Sequence, residues 1–95
     1  MDFEIDVAPF RDHPDDHAIV VVWIEDEGMR VYVVVNPNTS RDVMAAFGPW
    51  LVEILDRIRV HGLACAVEMD DWQLRSDGRY QKWMRGVVVD DPFAG

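Results

Sequence analysis

Residues 18–35 read AIVVVWIEDEGMRVYVVV, in which two apolar runs flank three acids and a glycine. The first run, 18–24, is almost continuously apolar and β-branched, which predicts an interior strand covered on both faces. The second run, 29–35, predicts the next strand of the same sheet. Because glycine adopts the positive φ that tight turns require, Gly28 and the acids before it predict a β-hairpin.

Upstream of this hairpin, acids alternate with apolar side chains in a period of two, which predicts a strand with one face on the core and one in water. The apolar positions are Phe3, Ile5 and Val7, and the acidic positions are Asp2, Glu4 and Asp6. Residues 9–17 contain two prolines and three aspartates, so they predict a polar surface loop before the second strand.

Downstream of the hairpin, the sequence predicts one long helix. Thr39 or Ser40 can cap the first free backbone amides, so the helix should begin near Ser40. Apolar residues then recur at steps of three and four as far as Ile58, and Gly62 suits the C-terminal cap. Pro49 lacks an amide donor, so we expect either a kink there or a fresh helical start at Pro49.

The last third of the chain returns to strand patterns. Leu63, Cys65, Val67 and Met69 alternate with smaller or polar neighbours and predict a fourth strand. Residues 72–75 and 79–84 flank a Ser-Asp-Gly turn signal, which predicts a second hairpin. The predicted fold class is therefore α+β: an antiparallel β-sheet of about five strands, in the order β-β-β-α-β-β, with one main helix packed on one face and a single domain over residues 1–95.

Charge is distributed unevenly along the chain. Residues 1–27 hold nine of the eighteen acids against one arginine, whereas the whole chain has a net charge of −9. Such a field repels nucleic acid and anionic membranes and attracts basic surfaces. The three acids of the first strand should project at intervals of about 6.6 to 6.8 Å, twice the strand rise, and could imitate the regular phosphates of a nucleic acid.

Groups for nucleophilic catalysis are scarce. Ser40 is explained as a helix cap, Ser76 as a turn residue, and Cys65 as a small buried hydrophobe of a strand. No glycine-rich phosphate cradle occurs. We therefore expect no catalytic residues, no cofactor and no enzymatic activity. The single cysteine, the acidic N-terminus and the lack of an apolar run of about 18 residues favour a cytoplasmic protein with no membrane partner.

The polar loop holds one alternative site. His13, Asp15, Asp16 and His17 are ligand types suited to zinc, manganese or iron, which permits a metal-assisted hydrolase as an alternative. A loop does not fix ligand spacing as a helix or strand does, so we favour a solvated acidic loop without metal.

The second hairpin interleaves aromatic and basic residues, as single-strand nucleic-acid binders do. The basic group is small, however, and the rest of the chain opposes a polyanion. We expect no direct binding of nucleic acid, and these cations should instead neutralise part of the protein's own acidic surface or meet acids across a dimer interface.

The favoured hypothesis is a non-catalytic acidic protein that blocks a basic, nucleic-acid-binding site on a partner protein or nucleoprotein complex. In size, charge and lack of catalytic groups the chain resembles phage-encoded inhibitors such as anti-CRISPR proteins, and toxin immunity proteins, although no motif matches one family. The other alternative is a structural or chaperone-like homodimer. The predicted partner-binding residues are Asp2, Glu4, Asp6, Asp15, Asp16, Glu25, Asp26 and Glu27, with Trp72 and Trp83 as candidate anchors whose exposure the sequence leaves open.

Overall fold

A computed structural model describes residues 2–12, 16–26 and 28–85 of the chain. Two helices and five strands account for most of this part. In chain order they are β1 (Asp2–Val7), β2 (Ala18–Glu25), β3 (Gly28–Val35), α1 (Arg41–His61), α2 (Leu63–Met69), β4 (Gln73–Leu74) and β5 (Tyr80–Met84).

The five strands form one sheet in the order β1-β3-β2-β5-β4, with the main helix α1 packed against it. The predicted α+β class is confirmed. Neighbouring strands are antiparallel except at one edge, where β1 runs parallel to β3. The apolar run that forms β2 lies at the centre of the sheet, as its continuous β-branched character indicates.

Both predicted hairpins are present. In the first, Glu25 pairs with Gly28, whose φ is 122°, a value that disfavours residues with a side chain. In the second, Gly78 has a φ of 82°, and Asp77 Oδ1 accepts a hydrogen bond from the Arg79 amide at 3.0 Å. The local turn chemistry therefore sets the register of both strand pairs.

The helix also begins and ends where the sequence predicts. Ser40 Oγ accepts a hydrogen bond from the Val43 amide at 3.3 Å, and the Gly62 amide donates to the Ile58 carbonyl at 2.8 Å. The helix α1 is continuous through the exposed Pro49, so a fresh start at Pro49 is wrong. Neither helix of the described residues is long and apolar enough to cross a membrane.

The core lies between α1 and one face of the sheet. The register places alternate residues of β2 and β3 on that face, and Val20, Val22 and Val33 are completely buried there. The apolar stripe of α1 covers them, which removes both surfaces from water. The helix contributes Phe47, Leu51, Ile54 and Ile58.

The other face of the sheet has no helix over it among the described residues. We call it the open face. The strand registers assign to it Asp2, Glu4 and Asp6 of β1, Arg30, Tyr32 and Val34 of β3, Ile19, Val21, Trp23 and Glu25 of β2, and Gln81 and Trp83 of β5.

The fourth strand predicted at residues 63–69 is wrong, because this segment forms the helix α2. Ala66 is fully buried, Leu63 and Val67 are half-buried, and Cys65 is exposed, which is the spacing of a helix lying on the core. Short apolar runs fit both periods, and the alanines favour helix. The predicted burial of Cys65 in a strand is therefore also wrong.

The predicted core face of β1 is wrong too. Phe3, Ile5 and Val7 are 43, 50 and 66 % exposed, because β1 lies at the sheet edge. They point to the same side as the buried Val31, Val33 and Val35 of β3, with which they are paired. The helix covers β3 but does not bury β1, so an amphipathic strand is exposed on both faces.

Candidate protein-binding surface

The acids of β1 lie along the edge of the open face, next to polar groups of β3. Asp2 Oδ2 lies 2.6 Å from Arg30 Nη1, and the Tyr32 hydroxyl donates to Asp6 Oδ2 at 2.5 Å. Glu4, between them, forms no ion pair with any described residue. The parallel register places Asp2 directly opposite Arg30. It places Glu4 opposite Tyr32, whose hydroxyl bonds to the next acid on the same face, Asp6.

Arg30 joins the acids of two strands at one end of the open face. Its Nη1 contacts Asp2, and its Nε lies 3.0 Å from Glu25 Oε2. The Trp23 indole also donates to Glu25 Oε1 at 2.9 Å. That hydrogen bond is the main reason that the pKa of the Glu25 carboxyl lies below its usual value. The charges of Arg30 and Arg79 lower this pKa further.

The open face also carries aromatic residues along its length. The guanidinium carbon of Arg79 lies 3.9 Å from the centre of a Trp23 ring, which is a cation–π contact. Phe10, from the loop after β1, stands edge-on to Trp83 with ring centres 5.2 Å apart. Trp23, Tyr32 and Trp83 are half-buried, so each presents part of a large ring to solvent. Aromatic residues of this type are the usual anchors of protein interfaces.

Four of the predicted acidic contact residues share the open face, and the two others that the structure describes lie elsewhere. Asp26 lies in the turn after β2, at the end of the sheet that also carries Asp2 and Glu25. Asp16 lies at the opposite end, 3.3 Å from Arg85 Nε. Asp15 and Glu27 lie outside the described residues. The four residues that share the face are Asp2, Glu4, Asp6 and Glu25.

The two predicted tryptophan anchors differ in position. Trp83 lies on the open face and is half-buried. Trp72 is only 7 % exposed and belongs to the core, so this candidate anchor does not lie on the surface. The chain turns at Asp71, which has a φ of 62°, and this turn leads Trp72 inward to the core.

Other residues of this surface were not predicted from the sequence. The sequence places Trp23 in a strand covered on both faces and indicates no role for Arg30 or Tyr32 on this surface. The alternation of Arg30, Tyr32 and Val34 along β3 was a usable signal, since a period of two places them together. The contact of Arg79 with Trp23 has no such signal, because the two residues are far apart in sequence.

The basic residues of the second hairpin contact acids, acceptors and rings within this chain. Arg85 lies near Asp16, Arg75 Nη2 lies 3.4 Å from Asp77, and Arg79 covers Trp23. Lys82 points to the helix side and donates to the Asp70 carbonyl. These contacts use the cations to offset acids and acceptors within the molecule, which leaves them less available to phosphates.

A buried polar cluster lies on the helix side, away from the open face. The Asp70 side chain is 3 % exposed, and its Oδ1 accepts a hydrogen bond from Arg57 of α1. Its Oδ2 and the Trp72 indole nitrogen have no hydrogen-bond partner in the described part of the chain. Arg57 also pairs with Glu53 of its own helix at 2.7 Å, and its contact with Asp70 ties the end of α2 to α1.

An apolar groove of about 610 Å³ lies where the first hairpin meets α1. Asp56 and Arg59, which pair at 2.7 Å, contribute its polar groups. Its apolar lining is Ile24, Met29, Val52, Leu55, Ile58 and Leu63.

The proposed metal-binding loop is only partly described. His13 and Asp15 lie outside the described residues, while the Asp16 carboxylate pairs with Arg85. The His17 backbone joins neighbouring segments, since its carbonyl accepts hydrogen bonds from the Asn36 amide at 2.9 Å and the Thr39 hydroxyl at 3.3 Å. No group of three or more potential metal ligands occurs within residues 2–12, 16–26 and 28–85. The metal-assisted hydrolase stays a hypothesis, which metal analysis of the purified protein tests.

In comparisons with known proteins, no protein-family model, curated protein or solved structure matches this chain.

Proposed function

We propose that this protein is a non-catalytic acidic binding protein that occupies a basic, nucleic-acid-binding site of a partner protein or nucleoprotein complex. It acts by blocking that site, as inhibitors of the anti-CRISPR and immunity-protein type do. The observation that carries the proposal is the shared position of Asp2, Glu4, Asp6 and Glu25 on the open face, which no described helix covers. We further propose that the protein works in the cytoplasm.

The charge on the open face favours a basic partner. Four carboxylates lie there with three arginines, since Arg30 belongs to the face and Arg79 and Arg85 lie over Trp23 and Trp83, so the acids outnumber the bases. Asp26, in the turn at one end of this face, adds a further carboxylate that forms no ion pair with a described residue. Long-range attraction of this kind raises the association rate, while Trp23 and Trp83 supply apolar contact area.

The nucleic-acid binding of the partner provides the test of the blocking role. A partner captured from the native host and identified by mass spectrometry should lose nucleic-acid binding when the protein is added in equimolar amount. Association should slow as salt rises, because exposed charges are screened over about 8 Å at physiological ionic strength. A partner that keeps its nucleic acid in the saturated complex would contradict a blocking role.

A pair of matched variants isolates the position of the charge. Glu4→Lys and Glu68→Lys make the same change in net charge at exposed sites that have no ion pair among the described residues. Glu4 lies on the open face, whereas Glu68 lies on α2. We expect Glu4→Lys to slow association about tenfold or more and Glu68→Lys to change it much less. Equal slowing would mean that net charge alone governs binding.

A homodimeric structural module is the second candidate, and the apolar groove favours it. Val52 and Ile24 are 66 and 61 % exposed there, and a second copy would remove them from water. Light scattering after size exclusion at two protein concentrations tests this candidate. Val52→Asp should abolish a dimer that uses the groove and leave a monomeric binder unaffected.

A further inference from the structure

The outer edge of β1 has backbone hydrogen-bonding groups that no described strand pairs with. The Ala8 amide donates to the Val35 carbonyl at 3.1 Å. In this register the backbone amides and carbonyls of the even-numbered residues of β1 point to β3. The amides and carbonyls of Phe3, Ile5 and Val7 therefore point away from the sheet. No strand of the described residues pairs with this side of β1.

The apolar side chains of this edge strand are exposed as well. Phe3, Ile5 and Val7 are exposed on the side of the sheet that elsewhere forms the core. At the opposite edge, β4 has only two residues, which is too short to receive a long strand. The six-residue β1 is thus the longer free edge of the described sheet.

The strand β3 shows what kind of segment pairs with β1. On the open face it offers β1 a guanidinium and a hydroxyl, from Arg30 and Tyr32. On the other side it sets valines beside the apolar residues of β1. A segment on the free side of β1 meets the same two rows of side chains, so it requires the same alternation of donors and apolar residues.

A second copy of this chain does not meet that requirement. In any pairing of β1 with β1 that matches the apolar rows, the carboxylate rows also lie side by side. Like charges directly opposite each other destabilise a sheet, and charged residues on an edge strand are a known means of preventing self-association. A segment with lysine or arginine at alternate positions converts this repulsion into attraction.

We propose that the free edge of β1 binds an extended segment of the partner protein, in which basic and apolar residues alternate, as a sixth strand of the sheet. This inference rests on the proposed function and names its docking site and the recognised segment. Backbone hydrogen bonds to Phe3, Ile5 and Val7 supply much of the affinity, and Glu4 supplies charge selectivity.

The direct test uses synthetic peptides. A heptapeptide that alternates lysine or arginine with valine should bind and should slow hydrogen exchange of the Phe3, Ile5 and Val7 amides in NMR spectra. A control of the same composition, with the bases contiguous, should bind at least about tenfold more weakly if strand pairing sets the register. Equal binding of both peptides, or no added protection at these three amides, would overturn strand addition.

Proline variants separate the edge from the strand itself. Ile5→Pro removes an outward amide and keeps the bonds to β3, so it should weaken peptide binding about tenfold with near-normal stability. Glu4→Pro is the matched control, since it removes an amide that points to β3 and should release β1 from the sheet. Circular dichroism verifies the fold of each variant. The hydrogen-exchange measurement uses the unaltered protein, so it does not depend on either proline variant.

The same variants distinguish this inference from the proposed function. If Ile5→Pro binds the captured partner normally while Glu4→Lys does not, the acidic surface acts without strand addition. If neither variant changes partner binding, the acidic binding function itself is wrong. Dimers of the unaltered protein that Ile5→Pro abolishes would show that a second copy occupies the edge.

Discussion

Asp2 Oδ2 lies 2.6 Å from Arg30 Nη1, across the parallel pair formed by the first and third strands. This ion pair connects an edge strand whose apolar side chains are largely exposed to the interior of the sheet. The strand β1 therefore depends on backbone hydrogen bonds and a few polar contacts, whereas β2 and β3 are held by the core. Segments with few buried contacts open more readily than the rest of a domain.

Substitution of Arg30 should increase the local opening of β1 more than it lowers the stability of the whole domain. Arg30→Gln removes the contacts to Asp2 and Glu25, and exposed ion pairs are worth about 0 to 1 kcal/mol each. We expect a small loss of global stability in urea denaturation, together with faster hydrogen exchange at β1 amides than in the unaltered protein. Arg59→Gln, which removes an ion pair on α1, should leave β1 exchange unchanged.

The hydrogen bond from Tyr32 to Asp6 should be visible in alkaline titration. This hydrogen bond, with burial and the charges of Asp6 and Glu4, raises the pKa of the Tyr32 phenol above 10.0. In a Tyr80→Phe background, absorbance should therefore show an ionisation above that value, and Asp6→Asn should lower it. Because the folded-state pKa is raised, the associated stability is present below the unfolded pKa and disappears as pH rises through the folded value. An unchanged titration in Asp6→Asn would contradict the contact.

The carboxyl of Glu25 should titrate at low pH. The Trp23 hydrogen bond and the nearby arginines hold its pKa below 4.5, so Trp23→Phe should raise it. A depressed folded-state pKa contributes stability above the unfolded pKa, and that contribution disappears as pH falls through the folded value. Carbon-13 NMR of the side-chain carboxyl measures the midpoint directly. A midpoint that Trp23→Phe does not raise would show that the indole is not the main cause.

Loss of Arg57 should cost more stability than loss of an exposed arginine. Arg57→Met leaves the Asp70 carboxylate, whose side chain is 3 % exposed, without its cation. Such unpaired buried charges destabilise proteins by roughly 2 to 4 kcal/mol. Arg59→Met, a matched change on the same helix, removes only a solvent-exposed ion pair and should cost less than about 1 kcal/mol. Urea denaturation that shows equal losses would exclude a special role for the Asp70 cluster.

Local sequence patterns were sufficient wherever a segment's structure depends on its own residues. The run of β-branched residues, Gly28 and the Ser40 cap predicted the first hairpin and the start of α1 correctly. The alternation of acids in β1 also correctly predicted that Asp2, Glu4 and Asp6 share one face. These features depend on backbone preferences and on a period of two, which are properties of contiguous residues.

The candidate surface depended more on long-range contacts. Burial of Trp72, the stacking of Arg79 on Trp23 and the pairing of Asp16 with Arg85 each join segments that no local pattern relates. The helix α2 was missed because its apolar spacing satisfies both helical and strand periods, and contact with the core selects between them.

The sequence by itself determined the α+β class, the two hairpins, the main helix and the acidic character of the first strand. Only the tertiary structure decided that this strand lies parallel to β3 at an edge, beyond the helix. The physical reason is competition for sheet edges. The side of β2 away from β3 is paired with β5, a strand from the far end of the chain, which leaves β1 the outer side of β3 and exposes Phe3, Ile5 and Val7.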